Sequence, residues 1–109
     1  MVNRVNPENR WPELFTERGN ECNEGWDGII EEFIEKAKGE LLANNIKISL
    51  IKQKMGFLDI YFTDYTDKLR VLSAELSERG LVTCEVCGAP GKRRGGSWIQ
   101  ILCGEHYGK

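Results

Sequence analysis

The chain has 109 residues, the span of one domain, with 40% hydrophobic and 29% charged residues, an ordinary composition for a soluble globular protein. Its formal charge of −2 provides no global field toward nucleic acid or an anionic membrane. No apolar run approaches the roughly 18 residues of a membrane span, and the first residues lack a basic-then-apolar leader, so a cytoplasmic protein without a membrane partner is expected. In that reducing setting the four cysteines read as metal ligands before disulfides.

Met1 to Gly25 lacks periodicity and contains Pro7, Pro12, Gly19 and Gly25, which predicts an irregular strap anchored by Trp11, Leu14 and Phe15. Pro12 pushes Trp11 away from helical geometry. Trp26, Ile29, Ile30, Phe33, Ile34, Ala37 and Leu41 then recur at helical spacing. Asp27, Glu31, Glu32 and Glu35 fall between them, and the early acids suit the positive end of the helix dipole. Asn23 is a candidate cap, and Asn44-Asn45 a stop.

Alternation follows. Ile46, Ile48 and Leu50 are expected on one face of a strand, with Lys47, Ser49 and Ile51 on the other. Lys54-Met55-Gly56 supplies a turn. In the second strand Leu58, Ile60 and Phe62 share one face, and Phe57, Asp59 and Tyr61 the other. Two strands so close in sequence predict an antiparallel hairpin. Thr63 or Asp64 is expected to cap a second helix through about Arg79, with Tyr65, Leu69, Leu72 and Leu76 buried and Gly80 as a left-handed terminator.

Cys84-Glu85-Val86-Cys87-Gly88 is a two-residue-spaced thiolate pair followed by a glycine that permits the backbone bend. Cys103-Gly104-Glu105-His106 repeats the spacing with an imidazole as fourth ligand, and Ser97 to Leu102 alternates like a strand between them. Two knuckles joined by a strand make a zinc ribbon. Three sulfurs and one nitrogen form a closed tetrahedral shell with no vertex for water, so one structural Zn2+ per chain is expected at Cys84, Cys87, Cys103 and His106, with iron as the other candidate ion. Cys22 stands apart, read as a small buried hydrophobe near Trp26 or as a substitute ligand. The expected fold is α+β, one domain over residues 1–109: a strap (1–25), a helix-hairpin-helix core (26–80) and a C-terminal zinc ribbon (81–109).

Several stretches together resemble a family of small bacteriophage and prophage proteins. Trp11-Pro12-Glu13-Leu14-Phe15 is similar to its opening motif, and Cys22-Asn23-Glu24-Gly25-Trp26 to its glycine-tryptophan motif at the first helix. Lys52 to Phe62 resembles its hairpin, with Met55 where an aromatic is usual. Cys84 to Pro90, Gly96, Trp98, Leu102-Cys103 and His106 resemble its zinc segment, without a second acid between Cys103 and His106. The resemblance implies a mobile-element accessory gene. It carries over no catalytic residues.

Composition and motifs argue against an enzyme. The one histidine and three of the thiols are consumed as ligands, leaving none to hold a catalytic metal and activate water, and no phosphate loop or nucleophile elbow is present. Two binding readings remain. In the first, exposed aromatics (Trp11, Phe57, Tyr61, Tyr107) engage a host protein, for example to inhibit a defence system, as the resemblance suggests. A strand edge also leaves pairing with a second copy open. In the second, Gly91 to Gly96 forms a mobile basic loop whose Lys92, Arg93 and Arg94, with Trp98 nearby, contact nucleic acid. Residues 81–109 carry a net +2 against −4 for the remainder.

Overall fold

The computed structural model describes residues 6–16, 19–96 and 98–107. The first five residues of the strap, positions 17 and 18, Ser97, Gly108 and Lys109 lie outside them. The fold is α+β, with helices, two antiparallel hairpin sheets and a C-terminal Cys/His cluster.

The strap is more regular than its composition suggests. Asn6 accepts a bond from the Glu8 amide and starts a short helix, α1 (Pro7–Arg10), with proline at a first-turn position where no N–H is needed. Trp11 is non-helical, at φ −128° and ψ 59°, and a 3-10 turn (Pro12–Leu14) follows it. Leu14 and Phe15 are buried in the core, with Trp11 packed at its margin. Helix α2 (Asp27–Ala43) buries Ile29, Ile30, Phe33, Ile34, Ala37 and Leu41, the stripe its spacing predicts. Its end is a Schellman motif: Asn45 adopts φ 55°, the Ile46 amide bonds Leu41 O, and the Asn45 amide bonds Leu42 O.

Strands β1 (Ile48–Lys54) and β2 (Phe57–Phe62) form the predicted hairpin. Met55 and Gly56, both at positive φ, make its two-residue turn. The predicted face of β1 fails past Ile48. Ile48 pairs with Phe62 and Leu50 with Tyr61, so Ser49 is an extra, bulged residue. The bulge reverses parity. Ile51, not Leu50, joins Ile48, Leu58, Ile60 and Phe62 in the main core. The strap holds the bulge, because the Thr16 hydroxyl donates to Ser49 O while the Thr16 amide bonds Ile48 O. Farther along, the Ile51 amide bonds Gly19 O and the Glu21 amide bonds Ile51 O, covering that edge of β1.

Helix α3 (Asp67–Gly80) begins later than predicted. Thr66 is the cap, its Oγ1 accepting from the Leu69 amide, rather than Thr63 or Asp64. Tyr65 therefore precedes the helix, edge-on to Phe62 and partly exposed. Leu69 and Leu76 are buried, with Leu72 at the margin. Gly80 does not adopt positive φ. Its role is close approach, since a Cβ there would sit 2.8 Å from Leu58 Cβ on β2.

The ribbon supplies β3 (Lys92–Arg94), β4 (Gln100–Leu102) and the turn α4 (Gly104–Tyr107). β3 and β4 form their own sheet and do not extend the first. They sit at the tip of the first hairpin, where a Cβ on Gly56 would meet Ile99 and Ile101 side chains. Ile101 is wholly buried and belongs to the main core.

Ala normally outscores Gly in a helix by about 1 kcal/mol. Gly80→Ala is expected to reverse that sign, destabilising the protein by about 1–3 kcal/mol through overpacking on Leu58. Urea unfolding measures the difference, and a stabilised variant would remove the close-approach role.

Candidate metal centre

Two knuckles position the ligands. In the first, the Cys84 amide bonds Ala89 O at 2.7 Å and the Gly88 amide bonds Cys84 O at 2.9 Å, closing a turn in which Gly88 takes φ +84°. That conformation is the one the glycine after Cys87 predicts. In the second, β4 delivers Cys103 to the start of α4, whose single turn carries His106, with the Tyr107 amide bonded to Cys103 O.

The ligand atoms of Cys84, Cys87, Cys103 and His106 all lie within 4.8 Å of one another. The Cys87 and Cys103 sulfurs are 3.7 Å apart, and His106 Nδ1 is 3.7 Å from Cys84 Sγ and 3.2 Å from Cys103 Sγ. A tetrahedral ion with bonds of ~2.3 Å to sulfur and ~2.0 Å to nitrogen has sulfur–sulfur edges of ~3.8 Å and sulfur–nitrogen edges of ~3.5 Å. The cage fits a metal ion of that kind. Cys84, Cys87 and Cys103 are not joined in disulfides. Cys22 is buried in the core and is not part of the cluster.

Backbone amides tune the sulfurs. Burial pushes the Cys84 thiol up, but amides of Cys103, Cys87 and Val86 outweigh it and bring it down to about 6. The His106 amide likewise lowers Cys103. At Cys87 the Ala89 amide lowers the thiol, yet desolvation and the two neighbouring sulfurs leave it raised. Cys103 beside the imidazole holds His106 above its ordinary value. A set of sulfurs competing for protons in this way is a donor set for a cation, which binds the thiolate form.

The knuckle is locked to the hydrophobic core by Gly25 and Trp26. The Gly25 amide bonds Glu85 O at 3.0 Å, and the Trp26 indole N–H donates to Thr83 O at 2.8 Å from a wholly buried ring. A Cβ on Gly25 would overlap the Cys84 carbonyl and the Glu85 backbone. Trp26 reads from spacing only as one more member of the α2 stripe. Nothing in its local sequence shows that its nitrogen reaches 57 residues ahead.

Glu85 is a second residue that spacing alone does not reveal. It is 5% exposed, and its Oε2 accepts from the Ile101 amide at 3.0 Å and Gln53 Nε2 at 3.1 Å. Gln53 Nε2 also donates to Ile99 O, so one amide ties β1 to both arms of the ribbon.

The predicted nucleic-acid residues are placed differently from expectation. Lys92, Arg93 and Arg94 form β3 rather than a mobile loop. Lys92 and Arg93 are exposed, but Arg94 stacks at 4.3 Å on Tyr107 and donates from Nε to Leu102 O. Trp98 is 76% exposed at the ribbon tip. Of the four predicted partner-binding aromatics, Trp11 is half-buried under the Arg10 guanidinium and Tyr61 half-buried beneath Lys52, while Phe57 and Tyr107 are exposed. The four lie on the strap, β2 and α4.

Trp26→Phe keeps the ring in the core but leaves the Thr83 carbonyl without its donor. A loss of about 1–3 kcal/mol in urea unfolding is expected. Faster amide exchange at Cys84 and Glu85 than at Ile30 would mark undocking of the knuckle; uniform change across the chain would assign Trp26 a packing role alone.

No family model, curated protein or solved structure matches this chain.

Proposed function

We propose that the chain is a non-enzymatic, zinc-stabilised module, carried as a phage or prophage accessory protein, that binds a host protein. The observation that supports protein binding most directly is the meeting of two hairpin tips. Gly56 lies against the side chains of Ile99, Ile101 and Arg93, so the turn that carries Met55 and Phe57 meets the ribbon hairpin next to the residue that follows Trp98 in sequence. Met55 is 64% exposed and Phe57 43%. Tryptophan, phenylalanine, methionine and arginine are the residue types enriched in interface cores, and the two hairpins that meet here present all four. Met55 also holds a backbone conformation with φ 52° that costs a non-glycine residue energy, which suits a residue kept for its side chain.

Zinc is the ion this reading places in the cage, one per chain, held by Cys84, Cys87, Cys103 and His106. Its role is to close the ribbon and keep Trp98 in place. Binding would contribute folding free energy on the order of 10 kcal/mol, since an unfolded chain has no assembled site. Nucleic-acid binding through exposed Lys92, Arg93 and Trp98 is the second reading. The commitment of Arg94 to Tyr107 leaves it about two phosphate contacts, with a correspondingly shallow salt dependence.

Elemental analysis is expected to find about one zinc per chain. Cys87→Ser should lower that content and release the ribbon to proteolysis while α2 stays helical; full metal loss without ribbon release would rule out a structural role.

For the partner, affinity capture from host lysate after nuclease treatment should return one stoichiometric protein. Met55→Lys and Trp98→Ala should each abolish capture with zinc content unchanged. Capture that survives both substitutions, or recovery of nucleic acid alone that Lys92→Ala and Arg93→Ala remove, would overturn the protein-binding reading.

A further inference from the structure

Beside the ribbon tip lies a groove of about 260 Å³ that neither the metal cage nor the hairpin tips account for. Trp98 forms its lip, Trp26 its inner wall, and Glu21, Lys52, Gln53, Glu85 and Gln100 are among its lining residues. Its chemistry is uneven. It holds two carboxylates and an exposed indole. Among the described residues the one cation lining it is Lys52, whose ammonium lies over the Tyr61 ring at 5.7 Å.

Glu85 is the informative member. A carboxylate removed from water is normally paired with a cation. Glu85 is 5% exposed, yet among the described residues it forms no ion pair. Its bonds come from neutral donors, and they fall on one oxygen. Oε2 accepts from the Ile101 amide and Gln53, whereas Oε1 meets only Gln100 Nε2 at 3.5 Å, the outer limit of a hydrogen bond. Arg94 pairs with Gln100 across the β3–β4 ladder, but it is held by Leu102 O and Tyr107. The fold therefore surrounds a buried carboxyl group with polar groups, while Lys52 lies over Tyr61 and Arg94 is held at Leu102 O and Tyr107.

We propose that this groove receives an arginine side chain of the protein partner, its guanidinium stacked on Trp98 and donating to Glu85 Oε1. A planar cation fits the lining better than an ammonium, because it can stack on an indole and fork toward a carboxylate together. Glu21 adds a second negative charge to the wall, and the amide oxygens of Gln53 and Gln100 are further acceptors. The chemistry is that of charge complementarity between an acidic slot and one basic residue, set beside the apolar hairpin tips. The assignment rests on the protein-binding reading for the source of the arginine, but not for the existence of the slot.

The slot is tested on the isolated, metal-replete protein with small probes, so its outcome does not depend on finding a partner. Nα-acetyl-arginine amide is titrated while NMR follows the Trp98 indole N–H and the Gln53 and Gln100 side-chain amides. Saturable shifts of these resonances are expected, with the neutral isostere Nα-acetyl-citrulline amide at least ~10-fold weaker and the lysine analogue intermediate. Trp98→Ala should weaken the arginine probe about 3- to 10-fold. Glu85→Gln keeps an oxygen for the Ile101 amide and should weaken it about 10-fold with zinc content unchanged. Because Trp98 is exposed, its variant remains folded and decisive even if Glu85→Gln loosens the ribbon. Equal binding of citrulline, indifference to Trp98→Ala, absence of saturable shifts, or tighter occupation of the same resonances by a nucleoside monophosphate would each overturn the arginine slot. Loss of host-protein capture with the probe still bound would instead overturn only the protein-binding reading.

Discussion

The contact on which the rest of the structure depends is the one between Gly25-Trp26 and the backbone of residues 83–85. It joins two parts stabilised by different physics. One is a core of α2, α3 and the first hairpin, held by burial of apolar side chains. The other is a short ribbon whose own apolar cluster consists of Cys84, Leu102 and Cys103 with Ala89, too little to hold a fold without an ion. The indole bond to Thr83 O and the absence of a Cβ at Gly25 bring these two together at backbone distance. Ile101 then completes the main core from the ribbon side. With the knuckle in place, Glu85 can brace β4 and Gln53 can tie the two hairpins.

Much of this fold is written in local patterns. The α2 stripe, its Asn44-Asn45 stop, the hairpin and the paired knuckle spacings all follow from residue type and interval. What local pattern cannot show is where a neighbour changes the count. Alternation sets Leu50 with Ile48 and Ile51 on the opposite face, yet Thr16 secures a bulge at Ser49 that brings Ile51 into the main core and leaves Leu50 buried outside that cluster. Gly80 has the composition of a helix terminator, but its reason is the side chain of Leu58, which lies 22 positions earlier. The α3 cap shifts to Thr66 because Tyr65 is occupied with Phe62.

The candidate site shows the same division. Metal ligands announce themselves because geometry forces their spacing, and Cys84, Cys87, Cys103 and His106 converge as that spacing requires. Surface residues carry no such constraint. Glycines around Lys92-Arg93-Arg94 suggest a mobile basic loop, whereas pairing with β4 makes it a strand and Tyr107 takes up Arg94. Conversely Glu85, between two ligands, carries no local sign of burial and is among the most enclosed polar residues described.

The indole bond has a thermodynamic consequence. Because the knuckle's backbone is shared between the cage and the core, occupancy of one and order in the other are linked, and linkage is reciprocal. Undocking the knuckle from Trp26 would weaken cation affinity by the same factor by which cation loss weakens the docking. The cage would thereby report on helix packing it never touches, and the tightness with which an ion is held there would be a gauge of whether the remainder is folded.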